Sequence, residues 1–360
     1  MALDIYTPND LYEVMFDPRL VVSTSQWLDR FYPRSHFSTQ EEIMFDEVDS
    51  TRKIAPFMLP NLPGRPVHRR SGERIKSFRP AYTKPKDAVR PSQALALQPG
   101  ELSKRIALQS PEARFNAKVI DIALDHRKQI QGLWQYMGAR AVIDGAITIN
   151  YFTDTGTTAQ SVTIDFGRDA GQTVVLGAGS RWGEAGVKPF DNLQAWIDTM
   201  AAAKFGGAPT DVLLGSLAAA VFMADADVKD KLDTRYRGTE AVSFNRGLIV
   251  ADPLDPFTYR GTLGSGIRVW RVSGVGNTFQ NNDGTYTEIL GAKEVVLVSP
   301  AVNGVKAFGA ILDVNSLQPA DIFSKMWDEN DPSARFIMSQ SAPLMIPVNS
   351  NCTFKATVLG

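Results

Sequence analysis

The sequence predicts an α+β fold, on three observations. Helical and strand signals occur without a regular β-α-β alternation. One long, well-capped amphipathic helix begins after Ser110. From Gly247 onward the chain reads mostly as short strands, with turn residues such as Asp283-Gly284 and Asn303-Gly304 between and after them.

Composition bounds the function. The 360 residues, 44% hydrophobic, exceed the roughly 250–300 at which single cores stop growing, so more than one subdomain is expected. With 38 basic against 39 acidic residues the net charge is −1, and no global excess advertises nucleic acid or an anionic membrane. A single cysteine, Cys352, excludes an internal disulfide and a multi-cysteine zinc site; a small buried thiol in a C-terminal strand is expected. His36, His68 and His126 lie far apart, which leaves a metal site or a histidine-dependent triad thinly provided for. No stretch approaches the roughly 18–20 apolar residues that span a bilayer; the longest, Val212 to Met223, is bounded by Asp211 and Asp225. The N-terminus lacks a basic region followed by an apolar run, so no signal peptide is expected and a reducing cytoplasm is the implied compartment.

Along the chain, Asn9 to Phe16 suits a short helix capped by Asn9 and ended by Asp17-Pro18. A second amphipathic turn runs from Ser25 to Phe31, stopped by Pro33. Trp27 and Phe31 cannot hide within so small a segment, and residues 1–50 read as a docking arm whose aromatics contact another surface. Residues 51–95 are different. They carry Arg65, Arg69, Arg70, Arg74, Lys76, Arg79, Lys84, Lys86 and Arg90 against only Glu73 and Asp87 from Arg65 onward. Pro56, Pro60, Pro63, Pro66, Pro80, Pro85 and Pro91 forbid a long helix and disfavour central strands. Phe57, Met58, Leu59, Phe78 and Tyr82 are more apolar than a disordered linker would be. The description is an extended arm, a loose hairpin around Ser71-Gly72, that must dock on something, a neighbouring subunit being the natural surface.

Ser110 as N-cap, Pro111 at N1 and Glu112 in the first turn open the long helix. Phe115, Val119, Ile122, His126, Ile130, Leu133, Met137 and Ala141 recur mostly three or four apart, and Asp144-Gly145 ends it after roughly 50 Å. A hairpin follows, Ile147-Ile149-Tyr151 against Val162-Ile164-Phe166. A helix is expected from an Asp191 cap through Met200, then a buried strand or helix run-in at 210–214, a buried helix over 217–223 and a short helical extension over 228–232. Strands are expected at 248–251, 267–272, 286–289, 294–298, 335–338 and 353–359.

Motifs that carry chemistry fail on context. Gly177-Ala-Gly179-Ser-Arg-Trp-Gly183 follows an apolar run, but leads into Glu-Ala-Gly-Val-Lys-Pro, which cannot open the helix that a dinucleotide site needs. No Walker A motif, nucleophile elbow or His-Glu-x-x-His is present. Asp225, Asp227, Asp230 and Asp233 interleave with Lys229 and Lys231 as on a solvated helix face. His126 reads as a helix-surface or subunit-contact residue, without a partner for base catalysis. The basic arm, with Phe78 and Tyr82 available for stacking, is the best nucleic-acid site in the chain. Pairing with acidic patches on neighbouring copies suits it better, since no nucleic-acid module accompanies it. No cofactor, metal or catalytic residue is assigned.

Four collinear landmarks carry a resemblance. Ser77-Phe-Arg-Pro-Ala-Tyr-Thr-Lys-Pro-Lys86, continuing to Val89-Arg90-Pro91, resembles the extended-loop signature of the phage lambda major capsid protein family, the phage major capsid protein E family. Asp165-Phe-Gly-Arg168, Val228-Lys-Asp-Lys-Leu-Asp-Thr-Arg235 and Phe336-Ile-Met-Ser-Gln-Ser-Ala-Pro-Leu-Met345 follow in the family's order. The resemblance implies a Hong Kong 97-type capsid fold: an N-arm (1–50), an extended E-loop (51–95), a peripheral domain with spine helix (96–190), an axial domain (191–325) and a return to the peripheral sheet (326–360). It implies a shell of hexamers and pentamers around double-stranded DNA bound without sequence specificity, made in the host bacterial cytoplasm, with no membrane partner. The same resemblance brings separate scaffolding, portal and decoration proteins. The E-loop contacts would come from Arg65, Arg69, Arg70, Arg74, Lys76, Phe78, Arg79, Tyr82, Lys84, Lys86 and Arg90, and the N-arm contacts from Trp27 and Phe31. Some shells of this fold cross-link Lys to Asn; Lys76 and Lys84 lie in the loop without an assignable acceptor, so no cross-link is expected. An encapsulin-like cellular shell protein and a nucleic-acid-binding protein acting through the arm are the alternatives.

Overall fold

The computed structural model describes residues 7–16, 26–40, 42–48, 73–95, 110–152, 158–233, 255–264, 266–280, 284–316, 318–331 and 333–360. Seven helices occur among them: α1 (Pro8–Met15), α2 (Gln26–Phe31), α3 (Pro91–Leu95), α4 (Pro111–Asp144), α5 (Pro189–Ala202), α6 (Ser216–Ala224) and α7 (Ala226–Lys231). The expected strand at 248–251 lies outside the described residues.

Helix α4 is the frame. Ser110 accepts a hydrogen bond from the Ala113 N–H at 3.2 Å, and Gly145 ends the helix in the left-handed region at φ 69°. Its buried stripe runs from Phe115 through Val119, His126 and Ile130 to Trp134 and Val142, and receives α1, α2 and α3. Gly138, a weak point by helix propensity, has a packing reason. A Cβ there would lie 2.8 Å from Leu28 Cδ2 and 3.1 Å from Tyr32 Cε2, while the Tyr32 hydroxyl donates to the Gly138 carbonyl at 2.8 Å. In an isolated helix Gly138→Ala would gain about 1 kcal/mol. Here it is expected to lose ~1–2 kcal/mol by displacing α2, and a urea titration that finds the variant more stable would contradict this packing.

Two helix starts differ from expectation. Thr7, not Asn9, caps α1: its hydroxyl accepts from the Asp10 N–H at 3.3 Å, the Asp10 carboxylate accepts from the Thr7 N–H at 2.9 Å, and Pro8 takes the first turn. In α5 the cap position is Lys188 and Pro189 opens the helix, so Asp191 serves in the first turn.

A seven-stranded mixed sheet has the order 173–175, 353–357, 294–298, 211–214, 268–272, 257–263, 232–233. Its central strand, Asp211–Leu214, pairs antiparallel with Glu294–Val298 and parallel with Arg268–Val272. Side chains alternate between two cores. Leu213, Val296 and Val298 join α2 and α4 in one; Val212, Leu214, Val295 and Leu297 join Trp182, Trp196, Phe222 and Phe354 in the other. Being covered on both faces, these strands read as continuous apolar runs.

The last strand, Thr353–Thr357, enters the seven-stranded sheet between 294–298 and 173–175. The physical reason is its composition: Phe354, Ala356 and Val358 fill the second core, Phe354 stacking on Trp196 at 5.5 Å, while Lys355 bonds Asp144 at 2.8 Å and Glu294 at 2.7 Å. Cys352, just before it, is buried as expected, and burial pushes its thiol up to about 11.

Phe323–Asn330, Ser333–Gln340 and Lys86–Val89 form an antiparallel sheet beside α4. Arg34–Phe37, Val305–Phe308 and Pro343–Ile346 form another, with Pro343 on an edge strand where a missing N–H is tolerated. The hairpin Ala146–Phe152 with Thr158–Asp165 is where the sequence places it. The glycine-rich decoy is a loop: Gly179, Gly183 and Gly186 all take positive φ, and Trp182 anchors it by stacking on Phe222 at 5.5 Å.

Candidate assembly surface

The basic arm is rooted by a strand pair. Ile43–Val48 runs antiparallel to Glu73–Phe78, with Ile43 opposite Phe78 and Val48 opposite Glu73. Val48 and Glu73, which flank residues 49–72 in sequence, therefore lie opposite one another. Arg65, Arg69, Arg70 and the turn expected at Ser71-Gly72 lie outside the described residues. Arg74 and Lys76 stand on the returning strand, in register with Glu47 and Phe45.

The inner arm residues fold onto their own chain. Phe78 is half-buried, its ring 5.7 Å from Phe166. Arg79 is exposed. The Tyr82 hydroxyl donates to Gln340 Oε1 at 2.6 Å and accepts from the Leu312 N–H at 3.1 Å; burial raises its pKa. The Lys84 ammonium sits 4.8 Å from the Tyr82 ring, and that of Lys86 4.3 Å from Phe336 and 5.2 Å from Trp327. Arg90 is exposed just before α3. Of the expected contact set, Phe78, Tyr82, Lys84 and Lys86 thus make contacts within their own chain.

The base is also held by a residue that sequence reasoning placed elsewhere. His126, expected on a helix surface, is 0% exposed. Its Nδ1 lies 3.1 Å from Ser339 Oγ and its Nε2 3.0 Å from Asp87 Oδ2, and Ser339 Oγ lies 2.8 Å from Ser324 Oγ. Asp87 belongs to the strand leaving the arm, His126 to α4 and Ser339 to the neighbouring strand, so the imidazole fastens three elements together. Ser339 is also 0% exposed, so no substrate reaches its hydroxyl and the set is a clasp.

Trp27 and Phe31 find their surface within the chain. Trp27 is 0% exposed, with its ring 4.8 Å from Phe257 and 6.0 Å from Phe31. Between them Arg30 stacks over Trp270 at 4.0 Å and Phe257 at 4.8 Å and pairs with Asp211 at 2.9 Å. Asp211 further accepts from Arg268 at 2.6 Å, Trp270 Nε1 at 2.6 Å and the Thr210 hydroxyl at 2.8 Å. Burial alone would raise its pKa; the hydrogen bonds and charges of Arg268, Arg30 and Thr210 outweigh that and hold the carboxyl below its usual range. This junction ties α2 to the seven-stranded sheet. The only local sign of it in the sequence is a carboxylate heading an otherwise apolar strand.

The other carboxylates have local uses: Asp225 caps α7 through the Val228 N–H at 3.1 Å, and Asp227 pairs with Lys188 at 2.9 Å. Among the described residues no three His, Cys, Asp or Glu side chains gather as a metal site, and no helix is long and apolar enough to cross a membrane.

Residues 20–358 match the model of a family described as phage major capsid protein E. The chain is 26% identical over 333 residues to the major capsid protein of Enterobacteria phage P21, covering 89% of this chain and 90% of that one. It is 25% identical over 358 residues to the major capsid protein of Escherichia phage N15, covering 96% of each, and 25% identical over 329 residues to that of Escherichia phage lambda, covering 89% of this chain and 90% of that one. Among solved structures it superposes on a prophage capsid protein of Escherichia coli CFT073 with a TM-score of 0.69 at 16% identity, over 99% of both chains.

Proposed function

The chain belongs to the phage major capsid protein E family, and from that premise we propose how its copies build the shell. It is a phage major capsid protein with the Hong Kong 97-type fold, a structural component of the virion head rather than an enzyme. Copies associate with one another into a shell.

The proposed arrangement is hexamers and pentamers in which the outer arm, Arg65 to Lys76, lies across a neighbouring subunit, while Phe78 to Lys86 fix its base. The observation that carries this is the hairpin root. Val48 and Glu73, the residues on either side of 49–72, are paired, and the clasp of Asp87, His126 and Ser339 holds the strand that follows. An arm of this charge and proline content has too few apolar groups to fold alone, and reused interfaces between identical copies supply the surface it needs.

The proposed division is an N-arm (1–50), an E-loop (51–95), a peripheral domain (96–190), an axial domain (191–325) and a return to the peripheral domain (326–360). Separate scaffolding, portal and decoration proteins, enclosure of double-stranded DNA without sequence-specific contacts, and assembly in the host cytoplasm complete the reading. An encapsulin-like cellular shell is the weaker alternative, because the family model and the named relatives are phage capsid proteins. Negative-stain microscopy of the purified or co-expressed protein is expected to show closed shells, or hexamers and pentamers. A lone monomer under all assembly conditions, scaffold included, would contradict the reading.

A further inference from the structure

Five side chains form a line through His126, and the protons between them can be counted. The ring Nε2 lies 3.0 Å from Asp87 Oδ2 and Nδ1 lies 3.1 Å from Ser339 Oγ. Ser339 Oγ lies 2.8 Å from Ser324 Oγ, and the Ser324 hydroxyl donates to Met15 Sδ at 3.4 Å. His126, Ser339, Ser324 and Met15 are all buried, which leaves these groups to one another. Each of the four contacts needs one proton between its two atoms. The Asp87 carboxylate and the Met15 thioether only accept, and each serine hydroxyl has a single proton to give. A neutral imidazole adds one more, so in either tautomer one contact is left bare. An imidazolium adds two and fills the line: Nε2–H to Asp87, Nδ1–H to Ser339, Ser339 to Ser324, Ser324 to Met15.

The surroundings supply one counter-charge for such a ring, the Asp87 carboxylate. Other charged groups on the elements packed around it face partners of their own. Lys86 lies over Phe336, Arg127 donates to the Met15 carbonyl, Lys325 pairs with Asp313 and Arg335 with Asp328. Asp321 bonds Tyr12 and faces Arg127, Asp10 caps its own helix, Asp125 pairs with Lys128, and Glu13 and Glu329 are exposed. A buried charge persists only where it is paired and hydrogen-bonded, and the filled line provides both.

We propose that His126 is a proton-operated fastener. Doubly protonated, it joins the strand 86–89 to α1 through one unbroken line of hydrogen bonds; loss of a proton within about pH 5–8, where histidine side chains titrate, breaks that line and loosens both. The contact given up is that of Ser324 with Met15, because a thioether is the weakest acceptor in the line. The closed form holds the extra proton, so the grip is full at the acid end of that range and is lost as pH rises. The inference concerns the single chain and stands apart from the shell reading.

The test is NMR of the full, unassembled chain with nitrogen-15 in its three histidine rings, His126 being assigned by the signals that His126→Gln removes. Near the acid end of that range both ring nitrogens of His126 are expected to carry protons, and near the alkaline end one is expected to be bare. Met15→Leu keeps the buried volume and removes the last acceptor, so three contacts remain and a neutral ring fills them. Although Met15 stands two serines away from the ring, this change is expected to lower the pH at which His126 titrates by about half a unit, the equivalent of one weak hydrogen bond. Hydrogen exchange at residues 86–89, corrected for the intrinsic effect of pH, should quicken about threefold as the wild-type ring loses its proton, and less in M15L. If M15L does not fold, Ser324→Ala removes the same demand and carries the same expectations. A ring that keeps one charge state throughout the range would overturn the proposal. So would a titration that the variant leaves in place, or exchange at 86–89 that ignores the ring's proton.

Discussion

Asp211→Ala is expected to cost about 3–5 kcal/mol of stability at neutral pH, the range for removing one partner of a buried ion pair. The carboxylate is 8% exposed and takes hydrogen bonds from Arg30, Arg268, Trp270 and Thr210. The Arg268 side chain is 51% exposed, so its bond is screened and adds little. The loss falls on Arg30, stacked between Trp270 and Phe257, and on the indole N–H of Trp270, which would be left without an acceptor. Because the Asp211 pKa is depressed in the fold, its stabilisation is present above the unfolded carboxylate value and is lost as pH falls through the folded one. The difference between wild type and variant should therefore be full at pH 7 and shrink below about pH 4. Urea titrations at both pH values measure this. Adding Arg30→Met should recover part of the loss by removing the stranded charge, and strict additivity of the two changes would contradict the pairing.

Neutralising Arg69, Arg70, Arg74 and Lys76 to Gln is expected to reduce shells to background. Arg69 and Arg70 fall in sequence between the paired strands, and Arg74 and Lys76 belong to the second of them. Changes of this kind away from packed features shift stability by about 0.5 kcal/mol or less each, so the monomer should stay folded. Assembly multiplies the small loss per contact over every copy. Wild-type assembly through the arm should also weaken at salt well above physiological, where screening lengths fall below roughly 8 Å. The nucleic-acid alternative predicts instead that the monomer binds DNA tightly at low salt and that the same four changes abolish this. Gel shifts and sedimentation of the same two proteins separate the readings.

Legibility in the sequence followed the range of the interactions. The α4 helix and the 146–165 hairpin are set by caps, periodicity and glycine turns, all within a few residues, and each could be read directly. Local chemistry also explains the near misses: Thr7-Pro8 with Asp10 is a better helix start than Asn9, and Pro189 outranks Asp191. Strands at 43–48, 257–263 and 323–330 escaped because their partners are remote or their pattern is mixed; 43–48 becomes a strand only by pairing with 73–78. The C-terminal strand was legible, but its packing was not, since neither Trp196 nor Asp144 is near it in sequence. His126 reads as a helix-surface or subunit-contact residue, while its partners lie 39 and 213 positions away. The intra-chain contacts of Phe78, Tyr82, Lys84 and Lys86 were not legible, because their partners Phe166, Gln340 and Phe336 are remote in sequence.

The most direct test of the arm's place is cross-linking of shells assembled from an equal mixture of ordinary and nitrogen-15-labelled protein. An amine-reactive cross-linker on Lys76 should give peptide pairs of mixed isotopic composition in the same proportion as pure pairs, as contacts between copies require. Pairs of Lys76 found solely within one isotopic type, in shells shown to be intact and mixed, would place the arm on its own subunit and contradict the account.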